Sequence, residues 1–153
     1  MEGWDGRVDR RDGDAGLRWH QVVAPFEKGT SKGVVFLGLA SDEGVRRNQG
    51  RVGAAQGPTL LRRMLSNLPI HDPILLYDAG DVGCLNGDLE DAQQRYASIG
   101  AEAILADNLL IGLGGGHEIA YASYSALAQS GKTFGKKVGI LNFDAHFDLR
   151  HET

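Results

Sequence analysis

Two short segments of this chain carry side chains that could bind a metal ion. Asp144, His146 and Asp148 alternate along the chain directly behind an apolar run. In an extended segment successive side chains point to opposite faces, so these three are expected to point the same way. His117 follows a run of glycines behind another apolar run and could supply a fourth ligand. The spacing therefore predicts one chelating surface built from two parts of the chain.

The ligand types indicate which metals this surface would hold. Two carboxylates and two imidazoles without a thiolate form a hard to borderline set, which favours Mn²⁺, or Fe, Co or Zn, over a structural zinc. Asp144 could bridge two ions because a carboxylate has two oxygens. The alternative interpretation is a polar turn after a strand, with Asp148 capping a helix.

Alternating strands and helices are predicted to position these residues. Short apolar runs predict the strands and helical spacing of apolar residues predicts the helices. Strands that alternate with helices imply a parallel sheet with right-handed crossovers, so the fold class is α/β. In such sheets ligands bind at the carboxyl ends of strands, which is where both candidate segments fall. The predicted strands are 34–39, 74–77, 109–113 and 138–143, and the predicted helices are 59–68, 89–106 and 119–129.

The two ends of the chain differ from its middle. Residues 1–30 are predicted to form an N-terminal arm that is charged and loosely ordered at its start, with Trp4 and Trp19 as packing anchors. Residues 31–153 are predicted to belong to a single α/β domain. The chain stops a few residues after Asp148, where a loop with a metal ligand should return into a helix or strand. We therefore expect it to be the N-terminal portion of a longer protein.

Composition excludes several classes of function. The net charge of −4 gives no reason to expect binding to nucleic acid or to an anionic membrane. The single cysteine, Cys84, excludes a disulfide framework and a cysteine-rich zinc site. No apolar run approaches the ~20 residues of a membrane span. The charged amino terminus does not resemble a signal peptide, so a cytoplasmic location is expected.

Residues 41–58, which we call the arginine loop, follow the first predicted strand and should lie at the same sheet edge as the ligands. Asn48 and Arg51 in this loop, and Arg150 near the C-terminus, are candidates for binding the carboxylates of a substrate, since arginine can hold a carboxylate by two hydrogen bonds. The alternative is a solvated basic loop. Asp78 and Asp81 also lie at a predicted strand end, where capping of a turn is favoured over support of the metal ligands.

The glycines before His117 have a second interpretation. A glycine-rich turn between a strand and a helix is typical of dinucleotide-binding folds, in which Asp144 would bind a ribose. The third glycine of that motif would fall at position 117, which is histidine. This mismatch weakens the nucleotide-binding interpretation. Two alternatives to a metal-dependent enzyme remain: a nucleotide-binding α/β module, and a non-catalytic remnant that cannot hold two metals.

At these residues the chain resembles the ureohydrolase superfamily, which comprises arginases, agmatinases and formimidoylglutamases. Within it the chain most resembles the formimidoylglutamases, because Gly-Gly-Gly-His-Glu stands at 114–118 where the others usually have Gly-Gly-Asp-His-Ser. The remaining matches are Asn-Phe-Asp-Ala-His-Phe-Asp-Leu-Arg at 142–150, the segment 44–51 of the arginine loop, and Trp-x-Gly-Arg-x-Asp at 4–9.

The resemblance implies a three-layer α/β/α fold with a mainly parallel sheet and a centre of two Mn²⁺ ions. His117, Asp144 and Asp148 would bind one ion, and His146 with the bridging Asp144 would bind the other. The family's later Asp-x-Asp-x-x-Asp segment, which completes both metal sites, is not in this chain, so the chain alone is expected to be inactive.

The implied activity is that of a hydrolase acting on a small-molecule amidine. Cleavage of N-formimidoyl-L-glutamate to L-glutamate and formamide, a late step of histidine breakdown, is the expected reaction, and a homo-oligomer is expected at full length. Agmatinase or guanidino-acid hydrolase activity is the alternative within the superfamily.

Overall fold

The computed structural model describes residues 2–71, 73–146 and 148. Within these residues the chain forms five α-helices and four strands. The strands are β1 (Ala24–Pro25), β2 (Val34–Ala40), β3 (Leu76–Gly83) and β4 (Leu109–Leu113). The α-helices are α1 (Trp19–Val22), α2 (Glu43–Arg47), α3 (Gly57–Leu65), α4 (Leu89–Leu105) and α5 (Ile119–Gln129), and short 3-10 helices occupy Arg10–Gly16 and Ala54–Gln56.

The four strands form one parallel sheet in the order β1-β3-β2-β4. Strand β2 is central and lies beside β3 on one side and β4 on the other, where Val34 pairs with Leu109 and Gly38 with Leu113. Strands β2 and β4 were predicted from their apolar runs. The parallel sheet with its crossover helices confirms the predicted fold class.

Helices cover both faces of the sheet because side chains of β2 alternate between two apolar layers. Leu37 and Leu39 pack on one face against Tyr96 of α4 and Ala122 of α5. Phe36 packs on the opposite face among N-terminal residues and Leu65 of α3. The sheet is therefore the middle layer of the predicted α/β/α arrangement.

Strand β3 extends further than the sequence indicated. It was predicted at 74–77, with a turn at Asp78 and Asp81, but it begins at Leu76 and continues to Gly83. Carboxylates inside a buried strand are disfavoured unless they are paired, which is why the sequence pattern favoured a turn. The side chain of Arg62 forms ion pairs with both carboxylates, so neither acid is unpaired in the strand.

The predicted fourth strand is wrong. Among the described residues after Gln129 there is no helix or strand, and the predicted strand 138–143 lies with its apolar side chains in solvent. Ile140 is 76%, Leu141 87% and Phe143 97% exposed. A strand needs a neighbouring backbone edge as well as apolar side chains, and no described strand pairs with this segment.

The tryptophans of the N-terminal arm anchor it to the domain, as predicted. Trp4 and Trp19 both pack against Phe36, with ring centroids 5.6 Å and 5.7 Å away. The Trp4 indole N–H donates a hydrogen bond to Asp78.

The described helices include none that is both long and apolar enough to cross a membrane.

Candidate metal centre

The turn after β4 places His117 at the head of α5. The backbone of this turn continues the pairing of the sheet, because the amide of Gly115 donates to the carbonyl of Leu39 at 2.9 Å. A Cβ at position 115 would overlap the carbonyl oxygens of Leu39 and Ser41, so only glycine permits this close approach. The imidazole of His117 is left 61% exposed beside the sheet edge.

The segment that carries the other ligands is folded back on itself and not extended. The Asp144 carboxylate accepts a hydrogen bond from the backbone amide of His146 at 2.8 Å, which turns the chain within two residues. The side-chain amide of Asn142 donates to Asp148 Oδ2 at 2.9 Å and closes the turn. Asp148 has a φ of 51°, in the left-handed region. The expectation that strand alternation aligns these side chains is therefore wrong, because local hydrogen bonds bend the backbone.

Three of the four predicted ligands come together despite this difference. One donor atom from each of His117, Asp144 and Asp148 lies within 4.8 Å of the others. His117 Nε2 is 3.7 Å from Asp148 Oδ2. His146 lies outside this trio, but its Nδ1 is 3.2 Å from Asp144 Oδ1. All four side chains face solvent, so the cluster is open to an ion.

The local charges keep Asp144 in the form that a metal needs. The backbone N–H of His146 lowers the pKa of the Asp144 carboxyl below its usual range, and partial burial opposes this effect without outweighing it. Hydrogen bonding to the His146 ring and the nearby ring of His117 lower the pKa further. An ionised carboxylate between two imidazoles suits a divalent cation of borderline hardness, so the residues present fit the predicted manganese.

The arginine loop is held to the domain by its own ion pairs. Arg46 and Arg47 bind the buried carboxylate of Glu43 at 2.7 Å and 2.8 Å, and Arg47 also reaches Glu90 of α4 at 2.5 Å. The two arginines hold the pKa of Glu43 at about 2. These arginines are therefore already paired within the chain, and they are poor candidates for binding a substrate.

The candidate substrate-binding residues are Asn48, Arg51 and Arg150. Asn48 and Arg51 are exposed on the arginine loop. Within the described part of the chain, no hydrogen bond links either side chain to the ligand cluster. Arg150 lies outside the described residues.

Sequence reasoning missed the role of Arg62. This side chain lies on α3, is only 2% exposed, and binds Asp78 at 2.5 Å and Asp81 at 2.6 Å. Both acids are therefore structural partners of a buried guanidinium. Asp78 also caps a turn as predicted, because its Oδ1 accepts a hydrogen bond from the backbone amide of Gly80 at 2.7 Å. The missed signal is helical spacing: Pro58, Arg62 and Ser66 recur every fourth residue and share the buried face.

Glu118 is a second residue whose role the sequence did not reveal. Its carboxylate contacts the start of the arginine loop, where it accepts hydrogen bonds from the Ser41 hydroxyl and the Gly44 amide. Sequence spacing gives no sign of this contact, because the partners are more than 70 residues away.

Comparison with known proteins identifies the family that this chain resembles. The family model of the Arginase family matches residues 32–153. A formimidoylglutamase of Chromobacterium violaceum is 51% identical over 98% of this chain and 48% of its own length. A formimidoylglutamase of Rhodococcus opacus is 46% identical over 97% of this chain and 47% of its own length. The chain thus spans about half the length of the curated relatives it matches.

Solved structures show the same architecture. A formiminoglutamase of Trypanosoma cruzi, solved with two Mn²⁺ ions, superposes with a TM-score of 0.73 at 27% identity, covering 88% of this chain and 46% of that one. The parallel sheet, the glycine turn before His117 and the family match over four-fifths of the residues lead to one assignment: the chain belongs to the arginase family.

Proposed function

We propose that this chain is the N-terminal portion of a manganese-dependent hydrolase that cleaves the amidine C–N bond of N-formimidoyl-L-glutamate. The products would be L-glutamate and formamide, in a late step of histidine degradation. The proposal is supported by membership of the arginase family and by relatives named formimidoylglutamase that are 51% and 46% identical to this chain over the aligned segment.

One observation carries the proposal for the chemistry. Donor atoms of His117, Asp144 and Asp148 lie within 4.8 Å of one another at the edge of the sheet, although the two segments that supply them are far apart in sequence. The three atoms form a mixed carboxylate and imidazole set that a Mn²⁺ ion prefers. The structural relative from T. cruzi was solved with two such ions, which agrees with this choice of metal.

Each ligand has a proposed role in the site. His117 and Asp148 would hold one ion, His146 would hold the second, and Asp144 would bridge them. Two divalent ions, when bound, supply a hydroxide at neutral pH by lowering the pKa of a shared water. The backbone amide of His146 orients the Asp144 carboxylate and lowers its pKa. The side-chain amide of Asn142 orients one oxygen of Asp148.

The substrate would be oriented from the arginine loop. N-formimidoyl-glutamate carries two carboxylates, and exposed cationic and amide groups bind such groups. Arg46 and Arg47 are paired with Glu43, which leaves Arg51 and Asn48 as the proposed donors of this loop. Arg150 is proposed as a further donor.

The products identify the reaction. The complete protein, loaded with Mn²⁺, should release formamide and glutamate in equal amounts from N-formimidoyl-L-glutamate. Release of urea from agmatine or from a guanidino acid, without release of formamide, would assign a different member of the family. Tight NAD binding without any need for metal would contradict the proposal altogether.

The 153-residue chain alone is expected to be essentially inactive. It supplies four proposed ligands for two dications, all of them exposed, and too little negative charge to offset the repulsion between the ions. Incubation with excess Mn²⁺ and substrate, followed by a formamide assay, checks this. Turnover in the usual enzyme range of ~1–10³ per second would contradict the proposed ligand count.

A further inference from the structure

The turn that carries His117 is fastened to the beginning of the arginine loop. The amide of Gly116 donates to the carbonyl of Ser41, the first residue of the loop, at 3.3 Å, and the amide of Gly115 donates to the carbonyl of Leu39 at the end of β2 at 2.9 Å. The bond between Gly116 and Ser41 extends the pairing of β2 and β4 past the ends of both strands. The two functional segments are therefore adjacent before any side chain is considered.

The side chain of Glu118 adds a second fastening through one of its oxygens. Oε1 accepts a hydrogen bond from the Ser41 hydroxyl at 3.0 Å and another from the Gly44 amide at 3.2 Å. The Ser41 hydroxyl in turn accepts from the amide of Glu43 at 3.1 Å. A single carboxylate oxygen thus orders the first turn of α2, from which the arginine loop continues.

The other oxygen of Glu118 lies in a space that two glycines leave open. A Cβ at Gly44 would lie 2.6 Å from Oε2, and a Cβ at Gly116 would overlap the same oxygen. The backbone carbonyl of Glu118 is also held, because it accepts from the side-chain amide of Gln93 on α4 at 3.2 Å. Both carboxylate oxygens and the backbone carbonyl of Glu118 therefore contact other parts of the domain, which fixes the position of this residue.

We infer that Glu118 is a positioning residue that locks the arginine loop to the turn carrying His117, so that substrate-binding and metal-binding residues move as one unit. The identity of the two groups that it joins rests on the proposed function. Both donors bond the same oxygen, so the lock requires an acceptor and not a negative charge. An amide at this position should therefore serve, whereas a methyl group should not.

Limited trypsin digestion of the complete protein tests the lock without reference to activity. The arginine loop offers cleavage sites after Arg46, Arg47 and Arg51, and mass spectrometry assigns each cut. Loss of two hydrogen bonds in Glu118→Ala should speed cleavage in the loop by about tenfold. Glu118→Gln should be cleaved at the parent rate. Glu102→Ala, the same truncation at an exposed site on α4, is the matched control and should also match the parent.

Steady-state kinetics tests the consequence for the proposed reaction. Glu118→Ala should raise KM for N-formimidoyl-L-glutamate more than it lowers kcat, and Glu118→Gln should restore both. The Mn²⁺ affinity of Glu118→Ala, measured by titration, should also fall, because the turn that carries His117 is no longer held. If the parent protein does not release formamide, the proposed function fails, but the digestion result still decides whether the lock exists.

Gly44→Ala provides an independent variant in case Glu118→Ala does not fold. The added methyl displaces the carboxylate without removing it, so this variant should also be cleaved faster in the loop. Combination with Glu118→Ala should add little further, since both changes break the same contact. Parent-like cleavage of both single variants would overturn the inference, as would a Glu118→Gln protein that is cleaved as fast as Glu118→Ala.

Discussion

Two groups of acidic side chains in this protein differ in the chemical groups that contact their carboxylate oxygens. Asp78 and Asp81 meet the guanidinium of Arg62, and the Asp78–Arg62 pair is 1% and 2% exposed. Asp144 and Asp148 meet imidazoles and amide donors in solvent. In the first group, which we call the closed group, the buried charges of Asp78 and Arg62 are paired within the chain, and the partly exposed Asp81 binds the same guanidinium. The second group is open and leaves room for a cation.

The comparison shows how a structural acid is distinguished from a ligand. Both groups sit close to the sheet, and both drew attention as acids near predicted strand ends. Burial raises the free energy of an unpaired charge, so the closed group requires its arginine. Burial also lowers the pKa of Arg62, but its hydrogen bonds to Asp78 and Asp81 outweigh this and raise the pKa above its ordinary value.

The largest expected effect lies in the closed group. Arg62→Ala leaves Asp78 buried without its main partner, and breaking such a pair costs about 3–5 kcal/mol of folding free energy. Urea denaturation measures the loss. Arg63→Ala removes a neighbouring arginine that is exposed on the same helix, and it should change stability little. If Arg62→Ala and Arg63→Ala were equally stable, pairing with Arg62 would not be required at Asp78, and the proposed distinction between the two groups of acids would be wrong.

The open group should respond in metal binding and not in stability. Asp144→Ala in the complete protein should weaken Mn²⁺ binding by more than the roughly 10–100-fold that follows loss of an outer partner, because this carboxylate is proposed to touch both ions. His146→Ala should remove mainly one ion. Metal analysis after gel filtration reports the occupancy, and two bound ions in Asp144→Ala would refute the bridging role.

A smaller effect is expected at the edge of the closed group. Trp4→Phe keeps the aromatic contact with Phe36 but removes the indole donor to Asp78. A hydrogen bond to a charged group contributes about 1.5–3 kcal/mol, and the lower end applies because Arg62 still binds the carboxylate. Thermal or urea unfolding measures it. Trp19→Phe, at the other tryptophan that packs on Phe36, should lose less, and the reverse order would contradict the assignment.

The smallest effect is expected at Glu43, a buried acid whose arginine partners are exposed. Hydrogen bonds from Arg46 and Arg47 hold its pKa at about 2, below the ordinary 4.5. Its stabilising contribution is therefore complete above pH 4.5 and disappears as the pH falls towards 2. Glu43→Gln should lower the melting temperature at pH 7, and the difference from the parent should shrink across that interval. A difference independent of pH would mean that charge plays no part.

Particular residues show how far the sequence could be interpreted. The apolar runs of β2 and β4 and the helical spacing in α4 and α5 predicted these elements closely, because burial on a known period leaves a clear pattern. The extent of β3 and the state of 138–143 were not predictable. Pairing of Asp78 with Arg62 and the presence of a neighbouring strand are properties of residues distant in sequence, which a local pattern does not contain.

The sequence by itself determined the α/β class, the candidate ligands and the family resemblance, since these depend on residue types and short spacings. Only the tertiary structure decided which charges are already paired, that the Asp144 segment is bent by its own hydrogen bonds, and that Glu118 joins the turn of His117 to the arginine loop. Each of these depends on atoms brought within a few ångströms by the packing of the sheet, and distance in space is not encoded in local spacing.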